Sequence, residues 1–402
     1  MYILGVRRYN SEYIYYVKAH NIAEIKISKH FIMKLLFYVL LFILSTHIQA
    51  QTEQEQIRAT IQNYIDGTAY NNIPLINKAF HDSTNLYLDG KKNELRIVPI
   101  KAYVSWFKNG TLGKFNGRIG SILSIDHFEN LAFAKAEILI PKRNVQFIDM
   151  FLLKKLKGQW QIISKSAASK PTNKQGDRIL FVVSNAHFYG NSKLKTGNSF
   201  AEIVNAYHTF ITAGYTIDFV SPKGGAIPLA YIDTSDELQK QYVYNSDFMS
   251  ALEHTSTPTS LEAKNYKAVH YIGGGSAMFG VPENTEIHKL VMGVYEDHNG
   301  IISSVCHGTA GIVHLKTKDG KYLVDGKRIN GYPDAYERRD KAYFKTFPFQ
   351  ITKTIEAHGG IFKYSPRNTP HVEVQGHIVT GQNYLSSKLV AEKIITLLKS
   401  KK

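Results

Sequence analysis

The feature that most limits what this chain can become is the run "RILFVVSNA", in which Ile179, Leu180, Phe181, Val182 and Val183 follow one another without a polar break. A strand solvated on one face alternates apolar and polar side chains, so an unbroken run of this kind asks for burial on both faces. The segment after it, "SFAEIVNAYHTFITAG", has helical spacing, and "YTIDFVSP" is strand-like again. "AVHYIGGG", "GIISSVC" and a closing helix "SSKLVAEKIITLLK" continue the alternation. Strands and helices in this order build an α/β doubly wound parallel sheet with helices on both faces. Ligands of such sheets sit beyond the carboxyl ends of the strands, which is where chemistry is expected.

A chain of 402 residues is too long for one core, and 44% apolar residues supply ordinary globular interiors. A polar, Pro- and Gly-containing stretch, "SKPTNKQGDR", marks a linker at 169–177, with one unit ahead of it and one, 178–402, behind. Ahead of it, Ile57, Ile61, Tyr64 and Ile65 are spaced three and four apart, as on an amphipathic helix. Then come "RIGSILSIDHF", "LAFAKAEILIP", "VQFIDMFLLKKL" and "GQWQIISKSA", strand-like runs parted by short turns. Helices first and a strand meander after them predict an α+β unit at 51–168, a curved antiparallel sheet covered by helices. His81, Asp82 and Asp126 are its available acid–base residues, and none stands at a spacing that argues catalysis.

The first fifty residues read as an address. From Met33, one lysine precedes an apolar run, Leu35 to Leu44, and Ile48-Gln49-Ala50 offers a small-residue cleavage site. That is the layout of a secretory signal peptide, and its apolar run is shorter than the roughly 20 residues a spanning helix needs. Residues 1–32 are then an upstream extension, and the exported chain begins near Gln51 without stable membrane insertion. Six Lys/Arg and two Glu before Gln51 contribute +4 of the formal +16, leaving +12 on the exported part. Its lysines are scattered, with no arginine-rich arm or zinc-finger spacing, so the charge reads as a solvated basic surface rather than a nucleic-acid interface.

A single cysteine, Cys306, excludes an internal disulfide. It follows the β-branched run "IISSV" and precedes "HGTAGIVHL", which has helical character and opens on small residues, with Gly308 leaving room for close packing. A strand, a sharp turn and a helix would expose the thiol to the cleft, with helix N-terminal amides beneath it to lower its pKa. The strand–turn–helix nucleophile elbow of hydrolases has the same logic. A buried inert thiol fits the residues too.

"SVCHG" resembles the nucleophile motif of the ThiJ/PfpI branch of the class I glutamine amidotransferase-like proteins. "KTGNSFAEIVNAYHTFITAGYTIDFVSPKGGAIPL", "GGGSAMFGVPEN", "DGKYLVDGKRINGY" and "TPHVEVQGHIVTGQN" agree with it in order and spacing. Together they cover 178–402 and are most similar to the subfamily of heat-shock glyoxalase III and holding chaperones, which implies a flavodoxin-like sheet. The resemblance implies that Cys306 is the nucleophile, that Glu202 is the acid that hydrogen-bonds it, and that His307 is oriented by Glu337. The backbone of Gly274 and Gly275, in "IGGGSAMF", is the oxyanion candidate. Where the family reads Gly-Gly-His-Gly, this chain has Gly273-Gly274-Gly275-Ser276, and it has "CHGT" for the usual Cys-His-Gly-Pro. The segment "YIDTSDELQKQYVYNSDFMSALEHTSTP" is similar to the subfamily's helical cap. Residues 52–168 resemble, more generally, the nuclear transport factor 2-like, SnoaL or lumazine-binding-like superfamily.

The chemistry implied is addition of the Cys306 sulfur to a 2-oxoaldehyde such as methylglyoxal and release of a 2-hydroxy acid, with no metal and no organic cofactor. The 16 histidines show no ligand-type pairing. The partners implied are a small aldehyde substrate, unfolded protein clients and a second copy in a homodimer. The rival readings are a thiol amidase or peptidase, and a chaperone or oxidant sensor without turnover.

Overall fold

The structure, a computed structural model, describes residues 53–400. The export signal read at 33–50 lies outside the described residues. Helix α1, residues 53–69, buries Ile57, Ile61, Tyr64 and Ile65, the face its spacing predicts. Burying one such side chain contributes roughly 1.5–3 kcal/mol. Then follow α2 (Ile73–Ala79), β1 (Phe80–Asp89), β2 (Leu95–Pro99) and α3 (Ile100–Ser105). Strands β3 (Ile119–Phe128), β4 (Leu131–Ile140), β5 (Val145–Leu156) and β6 (Gln159–Pro171) form the expected antiparallel meander.

The sheet order is β2-β1-β6-β5-β4-β3, and β1 joins β6 in parallel. The β1–β2 hairpin stands between the helices and corrects the expected helices-then-strands order. Its polar "HDSTN" stretch and exposed Leu95 and Ile97 carry little of the alternation by which a strand is read. Because β6 runs on to Pro171, the link between the sheets is shorter than the composition suggested. Trp160 closes the sheet, and its indole N–H donates to Glu53 at 2.7 Å.

The second sheet contains β7 (Arg178–Val182), β8 (Thr216–Val220), β9 (Tyr266–Tyr271), β10 (Ile301–Val305), β11 (Val372–Gln375) and β12 (Ile378–Gly381). Their order is β11-β12-β10-β9-β7-β8, parallel except for the edge strand β11. Helices α4 (Phe200–Thr212) and α9 (Ser387–Ser400) pack against one face with Phe181, Ala268 and Val379. On the other face lies α7 (Thr285–Met292), with Leu180, Val269 and Ile302. Both faces of β7 are therefore covered, as its unbroken apolar run requires.

The two sheets touch through charged groups and through α6 (Ser246–Glu253), which follows α5 (Glu237–Val243) in the cap segment and packs on β3. Arg178 binds both oxygens of Asp218 at 2.7 Å and also reaches the Gly120 carbonyl on β3. Lys135 on β4 meets Asp247 of α6 at 2.7 Å, and Lys174 meets Glu137 at 2.6 Å. The cap is thus held between the first sheet and the second.

Candidate active site

Cys306 is the first residue after β10, and its φ of +55° is a left-handed backbone that a side chain adopts at a cost of about 1–3 kcal/mol. The sharp turn expected at the strand end is present. The chain leaves that turn in a 3-10 winding, Cys306–Ile312, rather than an α-helix. The thiol correction is larger. Burial first, and then the neighbouring Glu202 charge, push the Cys306 thiol well above its ordinary range, although the His307 amide donates to it. Turn amides favour a thiolate, but here burial in an apolar setting outweighs them.

Glu202 lies in the first turn of α4 and is only 2% exposed. The turn into α4 is clamped by Asn198, whose side-chain amide bonds the N–H and carbonyl of Ser184, and by the Ser199 N–H on the Gly273 carbonyl at 2.9 Å. One carboxyl oxygen accepts the Gly273 N–H at 2.8 Å, and the carboxyl neighbours the Cys306 side chain closely enough to interact with it electrostatically. These contacts favour the carboxylate, yet burial raises its pKa to about 7. Gly273 is small because a Cβ there would stand 2.6 Å from the Glu202 oxygen and 2.9 Å from the Cys306 Cβ. That close approach brings acid and thiol together.

On the far side of the sulfur, His307 Nδ1 stands 3.5 Å from Sγ, and its Nε2 is 2.7 Å from Glu337 Oε1. The ring is stacked on Tyr332 at 4.6 Å and met edge-on by Phe347. Tyr343 donates to the second Glu337 oxygen at 2.9 Å. The segment carrying Glu337 is fixed to α8 (Ile351–Ala357) by Asp334, whose carboxylate accepts the Thr352 and Lys353 N–H groups.

A cavity of about 680 Å³ opens on these groups, within the size range of small-molecule sites. Cys306, Glu202, His307, Glu337, Gly274 and Gly275 all line it, so every site residue selected from the sequence meets in one place. His81, Asp82 and Asp126 belong to the other sheet. The cap contributes Tyr231, Asp233 and Gln239 to the wall. Sequence reasoning missed the aromatic lining, Tyr189, Tyr231, Tyr332, Tyr343 and Phe347, and the rim cations Arg338 and Arg367. The aromatic density of "YPDAYERRDKAYFKTFPF" was the available signal. Among the described residues no group of three or more His, Cys, Asp or Glu gathers to hold a metal ion.

A family model described as lumazine-binding matches residues 52–166. Glutathione-independent glyoxalase hsp3102 of Schizosaccharomyces pombe is 29% identical over 242 residues, 56% of this chain and 98% of that protein. Glyoxalase 3 of Candida albicans is 28% identical over 223 residues, covering 52% of this chain and 93% of its own length. Among solved structures, Rapid Encystment Protein 24 KDa of Francisella tularensis superposes with a TM-score of 0.52 at 25% identity, covering 55% of this chain and 98% of that one.

Proposed function

Residues 178–402 belong to the ThiJ/PfpI family, and from that premise we propose that the chain is a glyoxalase III-type enzyme that converts 2-oxoaldehydes, methylglyoxal among them, to 2-hydroxy acids. The observation that carries this reading is the buried Cys306–Glu202 pair at the mouth of a cavity sized for a small substrate. A carboxyl with a pKa of about 7 accepts and returns a proton with equal ease at neutral pH.

Sulfur bonds to the aldehyde carbon while Glu202 takes the thiol proton and passes it to the carbonyl oxygen, giving a hemithioacetal. Glu202 then removes the hydrogen of C1 as a proton, the electron pair shifts toward the C2 oxygen, the proton returns to C2, and the hydroxyl proton of the C1 oxygen passes to the C2 oxygen. C1 is thereby oxidised and C2 reduced, with no external oxidant or reductant. The resulting thioester is cleaved by one water, which restores the thiol and releases the 2-hydroxy acid. His307, held by Glu337 and facing Sγ, is placed to accept the proton of that water. The backbone of Gly274 and Gly275 faces the cavity where oxyanion charge develops.

A raised, buried thiol speaks against oxidant sensing, which needs a thiolate open to solvent. Export through the segment 33–50 is part of the same proposal, and N-terminal sequencing of the mature protein tests it. The chemistry is tested by methylglyoxal consumption with lactate detection. Absence of turnover by the wild type, or turnover that survives Cys306→Ala, rejects it.

A further inference from the structure

The cavity contains hydroxyls that the steps above do not use. Gly275 is the reason one of them is there. A Cβ at 275 would overlap the Tyr189 hydroxyl and lie 2.6 Å from both the Tyr189 ring and Thr196 Oγ1. A side chain at 275 and the Tyr189 ring therefore compete for one volume, and in this chain the tyrosine has it.

The ring is held in that volume. Tyr343 lies 5.4 Å away, Phe347 6.1 Å and Phe279 6.2 Å, centroid to centroid. Its backbone is pinned as well, the Tyr189 N–H donating to Leu194 O at 2.9 Å and its carbonyl accepting from Ser192. Tyr231, a cap residue, lines the same cavity and lies within electrostatic reach of Tyr189, Cys306 and Glu202. Tyr231 sits at a φ of +58°, so the cap backbone is strained at the point where it meets the cavity.

We propose that Tyr189 is a further catalytic residue, whose hydroxyl, backed by Tyr231, grips the second carbonyl oxygen of a dicarbonyl attached at Cys306. This rests on the dicarbonyl reading above. As the C1 proton leaves, negative charge moves to the C2 oxygen, and the Tyr189 O–H donates to it without giving up its proton. The proton that completes C2 comes back from Glu202. A preorganised donor aimed at developing charge is worth about 10²–10³ in rate. Simple monoaldehydes have no second oxygen for Tyr189, so the cavity selects adjacent carbonyls.

The test uses the full chain with Tyr189→Phe, which keeps the ring and its packing, and with Gly275→Ala, which displaces the ring. Two readouts are taken: kcat for methylglyoxal, and the rates at which Cys306 is alkylated by chloroacetone, a ketone, and thiolated by methyl methanethiosulfonate, which has no carbonyl. Both variants are expected to lose about 100-fold in kcat and to react more slowly with chloroacetone, at an unchanged methanethiosulfonate rate. Wild-type values in Tyr189→Phe for both carbonyl readouts overturn the assignment. If the wild type turns over and Tyr189→Phe matches it, the enzyme reading stands and the Tyr189 grip falls. If the wild type does not turn over but Tyr189→Phe still slows chloroacetone alone, the dicarbonyl chemistry falls and the carbonyl grip stands.

Discussion

Each sheet buries an ionisable cluster, and the two clusters are built on opposite principles. In the first sheet, Lys165 and Asp149 are 4% and 2% exposed and meet at 2.9 Å on adjacent strands. The other Asp149 oxygen accepts the Tyr64 hydroxyl at 2.5 Å, and the lysine lies 5.6–6.0 Å from the rings of Tyr64, Tyr103 and Phe151. Every charge there has an opposite charge or a donor. In the second sheet, Glu202 accepts the Gly273 amide but among the described residues has no lysine or arginine against it, its neighbour is a thiol on a left-handed backbone, and a cavity opens beside both. Burial of charge is common to the two. Strain, a carboxyl that burial raises without a lysine or arginine beside it, and open space distinguish the one that can do chemistry from the one that holds a fold.

Breaking each cluster should therefore fail in a different currency. Cys306→Ala should reduce methylglyoxal turnover at least about 10³-fold while leaving the thermal midpoint nearly unmoved, measured by kinetics and calorimetry on one preparation. Lys165→Ala should do the reverse. Stranding Asp149 costs about 3–5 kcal/mol in denaturant unfolding, and the fraction that remains folded should keep wild-type kcat/KM.

Glu202→Gln sharpens the contrast through pH. A carboxyl raised to about 7 from 4.5 contributes stability that is full below the lower value and lost as pH rises through the upper. From pH 4.5 to about 8 the wild type should therefore lose on the order of 3 kcal/mol relative to the glutamine variant. Taking the difference cancels His270, whose buried ring, lowered to about 3, acts in the other direction by losing stability as pH falls below 6.5. The smallest effect belongs to Glu337→Gln, which keeps a hydrogen bond to His307 but removes the charge. A fall of about tenfold in kcat with KM unchanged is expected from steady-state kinetics.

How much of this was legible in the sequence depends on the range of the forces involved. The core of β7 and the buried face of α1 are written in local spacing, and both were readable. Cys306 was readable as a strand-end residue, whereas Glu202 and Glu337 were reached only through the family resemblance. A buried helix carboxylate looks like an exposed one until the sheet closes over it. The thiol pKa went the wrong way for the same reason: turn amides are local, and the burial that overrides them depends on Gly273, 33 residues earlier. Tyr189 and Tyr231 were invisible because each lies in a loop that no periodicity describes. The hairpin of β1 and β2 was missed because its alternation is broken by exposed polar residues.

The proton shared by Cys306 and Glu202 is the centre of the account, and the pH profile of kcat/KM for methylglyoxal reads it directly. The wild type should show a limb rising to a plateau with its midpoint at about 7, where Glu202 becomes the base that takes the thiol proton. In Glu202→Gln that limb should be gone and the rate lower at every pH. A Glu202→Gln variant with the wild-type limb and the wild-type rate would contradict the assignment of the proton to this pair.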